Sequence, residues 1–228
     1  MPVASDAGAA QVQRAAWVRA GVRVEYFSLA WMVVEAVASV WAGALAGSLL
    51  LIAFGLDSVI ELVTGAILLW RLSIEASGGT MERVARAEQR AARVVSVSLV
   101  LLCAYVLASA AYGLLTQRRP QSSLPGIVIA LVALAVMPGL GLTKRRLAER
   151  LGSRALRGDA ASSFTCGYMA ATVLAGLVLN AVAHWWWAED VAALVFLGWL
   201  GLETREALEE AREGPGAAAD HDQRDETE

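Results

Sequence analysis

Between Val94 and Leu115 the chain runs for 22 residues without a charged side chain. An uncharged apolar run longer than about 18 residues is long enough to cross the hydrocarbon of a bilayer as a helix. Five more apolar segments accompany it, at about residues 26–46, 48–70, 125–143, 159–183 and 185–202. Composition agrees. Of 228 residues 57% are hydrophobic and 18% are charged, against about 45–50% and about 25% in a soluble domain. That apolar content excludes a disordered chain. Two cysteines, Cys103 and Cys166, exclude a disulfide scaffold. A net charge of −3 leaves no global basic field for nucleic acid. The sequence predicts an all-α membrane protein of six transmembrane helices, with little chain left for a folded soluble domain.

The basic residues set the topology. With both termini placed in the cytoplasm, 17 of the 19 Lys and Arg fall on the inner side and only Arg118 and Arg119 on the outer side. This is the positive-inside pattern, and it requires an even number of spans. Residues 1–25 read as a cytoplasmic N-terminal segment whose first 13 residues fray. Residues 208–228 read as an acidic, disordered tail. His221, with Asp220 and Asp222, belongs to that tail. The polar stretch 71–93 reads as an inner loop turning at Gly78-Gly79. The basic stretch 144–157 reads as an amphipathic segment held at the inner leaflet by anionic lipid. The fourth segment should kink or end at Pro138, Gly139 and Gly141. Trp185, Trp186 and Trp187 suit an outer aromatic belt. His184 stands beside them at the outer mouth. Gly43 and Gly47 form a GxxxG pair at the end of the first segment.

Three acids lie where charge is costly: Glu35, Asp57 and Glu61. An acid at the centre of a span costs about 2.5–3.5 kcal/mol on the insertion scale, so it normally faces the protein interior or a water-filled path. Asp57 and Glu61 are four residues apart and share one helical face. Two like charges so placed repel unless a proton or a cation lies between them. A cation site coupled to protons has that requirement; neutral acids bonded to neighbouring helices are the alternative.

The fifth segment brings Asp159, Ser162, Ser163 and Cys166 along one stripe. A carboxylate, a hydroxyl and a thiol can ligate a metal, and the thiolate favours softer ions such as zinc or cadmium. Core packing of Cys166, backbone bonding by the serines and a helix-end role for Asp159 are the plainer readings. Cys103, alone in an uncharged span, reads as packing. A shift of 105 residues lays SLLLIAFGLDSVIE over SRALRGDAASSFTC and puts Asp57 on Ser162 and Glu61 on Cys166. Two halves that present polar pairs to each other follow a common transporter logic.

The stretches SLLLIAFGLDSVIELVTGAILLWRL, SRALRGDAASSFTCGY and NAVAHWWWAEDVAALVF resemble the second helix, the fifth helix and the lead into the sixth helix of cation diffusion facilitators. The likeness covers about residues 26–207. It implies a six-helix cation efflux domain, with a divalent metal such as zinc as transported substrate and protons as counter-substrate. No resident cofactor is implied. On the family pattern Asp57 and Glu61 match the helix 2 ligands. Ser162 and Cys166 stand where helix 5 usually has His and Asp, and Asp159 is a candidate to compensate. The resemblance extends to a small subgroup with Cys at the last helix 5 position and an acid like Glu35 in helix 1, where it would relay protons. About 26 residues follow Leu202, too few for the family's C-terminal cytoplasmic domain. A homodimer would then form without it.

No HExxH, nucleophile elbow, P-loop or intramembrane aspartyl protease motif is present, so an enzyme is not expected. The rivals are a non-transporting membrane protein, a sensor or assembly partner that keeps the fold, and a transporter of another cation. Composition suggests a multi-pass protein of a bacterial plasma membrane.

Overall fold

In a computed structural model the protein is a bundle of six helices, and the structure describes residues 3–76, 81–117, 120–151 and 154–212. The helices are α1 (Val3–Ala46), α2 (Leu49–Ala76), α3 (Met81–Thr116), α4 (Leu124–Leu151), α5 (Arg154–Ala183) and α6 (Ala188–Arg212). Five of them are long and apolar enough to cross a membrane. The sixth, α6, misses that measure because Glu189 and Asp190 open it and the charged stretch from Glu203 closes it. The helices form a closed ring in the order α1, α2, α3, α6, α5, α4, and α2 also reaches α5 and α6 across the centre.

The bundle exposes many large apolar side chains, and its largely apolar core also holds a set of buried polar and charged ones. Val37, Trp41, Leu45, Leu101, Leu107 and Val182 are exposed. Glu25, Ser28, Glu35, Ser39, Asp57, Ser58, Glu61 and Lys144 are buried. Such an arrangement suits lipid around the bundle, because apolar side chains gain nothing by leaving lipid whereas polar ones do.

At the end away from the termini the turns are short and capped. Gly47 takes φ 66°, and the Ser48 amide donates to the Gly43 carbonyl at 3.0 Å, closing α1 in a Schellman motif. Ser48 then accepts from the Leu51 amide at 3.3 Å and caps α2. The GxxxG pair is thus a turn. A Cβ on Gly43 would lie 2.8 Å from Ile52 Cγ1, so the first glycine also admits α2. Ser123 caps α4 through the Gly126 amide at 3.1 Å. His184 ends α5 with φ 53° and is exposed. Trp185 and Trp187 follow as a stacked, exposed pair. Glu189 joins these turns: it accepts from the Ser48 hydroxyl and, at 2.8 Å, from Asn180, which also donates to the Pro120 carbonyl at 3.2 Å.

Several expected loops are helix. The chain is helical from Val3, where fraying is expected. Most of the polar stretch 71–93 continues α2 and opens α3. The Gly78-Gly79 turn and the tail from residue 213, His221 included, lie outside the described residues. Pro138 does not end α4, which continues to Leu151. The proline ring instead meets Gly167 of α5, where a Cβ would lie 2.9 Å from Pro138 Cγ. Residues 144–151 belong to α4, and Leu140, Gly141, Lys144, Leu147 and Ala148 keep a buried stripe at helical spacing. Lys144 is therefore a core residue of the bundle, where the sequence reading places it at the lipid surface.

Candidate functional site

Close approach of α1 and α2 begins the site. A Cβ on Gly55 would lie 3.0 Å from the Ala36 carbonyl, so only glycine lets the helices pack this closely. The next turn of α2 then sets Asp57, Ser58 and Glu61 against Glu35 of α1. From the other side, α5 presents Ser162 and Cys166.

Glu35 is fully buried and accepts from three helices. Trp31 Nε1 donates to its Oε2 at 2.7 Å. The Ser58 hydroxyl donates to Oε1 at 2.7 Å, and the Cys166 thiol faces the same oxygen at 3.6 Å. Glu61 accepts from the Ser162 hydroxyl at 3.1 Å, and the Cys166 thiol reaches it as well. Cys166 is therefore fully buried between two carboxyl groups of α1 and α2.

Asp57 differs from both. It is 1% exposed, and neither carboxyl oxygen has a hydrogen-bond partner. Its titratable neighbours are acids and thiols: Glu203 on α6, Glu61, Glu35 and Cys103 on α3. A buried carboxyl group without a donor is costly, and like neighbours increase the cost. Among the described residues the one buried Lys or Arg is Lys144. It serves another cluster, contacting Glu25 at 3.1 Å, Asp159 at 2.6 Å and Ser28 at 3.0 Å. The Ser28 contact is a hydrogen bond, and the two carboxylates are held as ion pairs.

Of the sequence-derived set, the structure brings together Glu35, Asp57, Glu61, Ser162 and Cys166. It sets Asp159 apart, with its carboxylate on Lys144 one helical turn from Ser162. Ser163 bonds the Asp159 carbonyl at 3.1 Å, the plainer of its two readings. Among the described residues no three His, Cys, Asp or Glu side chains already surround a common point at metal-ligating distance.

Sequence reasoning misses Glu203. The sixth segment ends at Leu202 on hydropathy, and Glu203 opens what looks like a solvated charge run. The available signal is the α6 core face: Phe196 and Leu200 are fully buried, and the same face reaches Glu203 and Thr204 at positions i+7 and i+8 from Phe196. Cys103 also does more than pack, since its sulfur lies 3.3 Å from Thr204 Oγ1.

A six-helix bundle with an apolar outer surface and carboxyl groups buried within its core defines a multi-pass membrane protein. Residues 26–213 match the cation efflux transmembrane domain, and the chain belongs to the cation efflux, or cation diffusion facilitator, family. Members of this family are transporters, and the match supports cation transport by this chain. No curated protein matches the chain.

Proposed function

We propose that the protein exports a divalent metal cation in exchange for protons, through the buried site between α1, α2 and α5. The observation that carries this reading is Asp57: a carboxyl group 1% exposed, with both oxygens unpartnered and with acids around it. Such a group needs a proton or a cation, and exchanging one for the other is antiport. On the inner side Asp57, Glu61 and Cys166 release protons and take the cation, with Ser162 as a further oxygen. On the outer side protons displace it. Affinity falls with pH because each ligand must lose its proton to bind. Glu35, held by donors from three helices, passes protons to and from the site. The 17-to-2 bias of basic residues supports a cytoplasmic position for both termini. The Ala- and Arg-rich composition supports a bacterial plasma membrane as its location.

The test is flux in vesicles that hold a metal-sensitive dye, with an imposed pH gradient and zinc, cadmium, cobalt or manganese added in turn. Cation entry driven by the gradient and lost in Asp57→Asn is the expected result. Absence of flux for every ion, from protein that melts cooperatively, overturns the transport reading in favour of a sensor or assembly role.

A further inference from the structure

Four of the helices fall into two close pairs: α1 packs mainly on α2, and α4 mainly on α5. The candidate site straddles them. Glu35, Asp57 and Glu61 come from the first pair, Ser162 and Cys166 from the second. Lys144 straddles them too. Its 2.6 Å contact with Asp159 stays within the α4–α5 pair, whereas its contacts with Glu25 at 3.1 Å and Ser28 at 3.0 Å cross to α1. This crossing lies one helical turn from the site on both pairs. Asp159 precedes Ser162 by three residues, and a Cβ on Gly65, four residues after Glu61, would lie 3.2 Å from Glu25 Oε1. Past the crossing, Leu147, Ala148 and Leu156 form an apolar layer with Trp17 and Val24. With both termini in the cytoplasm, this order runs from the site toward the inner face.

Resting on the cation-transport reading above, we propose that Lys144 is the latch of an inner gate: its bonds to Glu25 and Ser28 hold α1–α2 against α4–α5 and close the cytoplasmic approach to the site. The charge count makes the latch releasable. Two carboxylates share one ammonium, so Lys144 can leave Glu25 and stay paired with Asp159, while Glu25 turns to the water that enters. A lysine suits the task, because its ammonium is a compact charge on a flexible four-carbon stem. A static brace needs no such cluster, since replacing a buried ion pair by apolar residues of similar volume is often neutral or stabilising. Parting the two pairs at this level uncovers Ser162 and Cys166 on one wall and Glu61 on the other. Those groups then meet a cation arriving from inside.

The latch is read from Cys166, with no metal present. Cys103→Ala in the full chain leaves Cys166 as its one thiol. Sealed vesicles of either orientation receive a membrane-impermeant methanethiosulfonate, and mixed-disulfide formation is followed by mass. In this parent Cys166 should label slowly from both faces, as its full burial requires. Glu25→Gln removes the charge that holds Lys144 across the gap. Labelling from the cytoplasmic face should then rise at least about tenfold, and labelling from the outer face should stay level. Asp159→Asn leaves Lys144 paired with Glu25 across the gap, so cytoplasmic labelling should stay at the parent's rate. Equal labelling of Glu25→Gln and the parent overturns the proposal. So does a rise from both faces alike, which marks a loosened bundle, a rise from the outer face alone, or an equal rise in Asp159→Asn. Should Glu25→Gln fail to fold, Glu25→Asp, whose carboxylate is one methylene short of Lys144, decides by the same readout.

Vesicle flux separates the two claims. Labelling that rises in Glu25→Gln from the cytoplasmic face alone, in a chain that moves no ion, upholds the latch and overturns transport. Cation flux in a chain whose labelling is indifferent to Glu25→Gln overturns the latch and leaves transport standing.

Discussion

Nζ of Lys144 on α4 lies 2.6 Å from Oδ2 of Asp159 on α5, with Glu25 of α1 at 3.1 Å on its other side. The lysine is fully buried, so three helices meet on one ammonium group. Removing one partner of a buried ion pair leaves uncompensated charge and costs about 3–5 kcal/mol. Lys144→Met should therefore lower the melting temperature of the detergent-solubilised protein, because Glu25 and Asp159 then face each other without a cation. Adding Asp159→Asn should recover part of the loss. If Lys144→Met melts like the wild type, the cluster contributes nothing to holding α1, α4 and α5 together.

Gly55 sets the α1–α2 spacing on which the site depends. A Cβ there would lie 2.7 Å from Val40 Cγ2 and 3.0 Å from both the Ala36 carbonyl and the Val40 amide. The side chain can turn away but the backbone cannot, so the helices must part. Overpacking of this kind costs about 1–3 kcal/mol. Gly55→Ala should melt earlier and transport more slowly, since the Ser58–Glu35 bond bridges the same two helices. Gly139→Ala is the control. Nothing lies within 4 Å of its added Cβ, and a mid-helix Gly→Ala change gains about 0.5–1 kcal/mol. Equal behaviour of the two variants would remove the steric argument.

The fold was readable because hydropathy and charge bias both report the bilayer. The polar part of the site was readable for the same reason: Glu35, Asp57 and Glu61 interrupt apolar spans, and lipid makes each interruption expensive. What stayed hidden lies at the ends of the helices. Lys144 and Glu203 sit beside other charges, in KRRLAER and ETREALEE, where hydropathy reads a solvated loop. Burial there is decided by a stripe at helical spacing, Leu140, Lys144 and Leu147 on α4 or Phe196, Leu200 and Thr204, beside the half-buried Glu203, on α6. A window average erases such a stripe. Asp159 shows the limit of one-helix reasoning: it shares a face with Ser162, yet its partner Lys144 comes from α4, which spacing within α5 cannot reveal.

Glu35 holds donors from Trp31, Ser58 and Cys166. As a proton relay it must exchange a proton without leaving that cradle. Glu35→Gln keeps the shape but turns one oxygen into a donor that opposes the surrounding N–H, O–H and S–H groups. Cation entry should persist at a reduced rate, with fewer protons moved per cation. The check is simultaneous recording of a metal dye and a pH dye in the same vesicles. A wild-type ratio of protons to cations in Glu35→Gln would exclude the relay role.

If Asp57 holds the cation as proposed, it makes stability and transport pull in opposite directions. Its carboxyl group has no donor and lies among Glu35, Glu61 and Glu203, so it opposes folding while it equips the site. Functional sites commonly carry such a cost, and substitutions there can stabilise while they inactivate. Without added metal, Asp57→Asn should melt no lower than the wild type. A cation at about 100 times its dissociation constant should stabilise the wild type by about 2.7 kcal/mol, since only the folded chain gathers these carboxylates. That metal-dependent rise in melting temperature should vanish in Asp57→Asn. Thermal melts of both proteins, with and without the transported ion, decide the point: a rise that survives the substitution would place the cation away from Asp57.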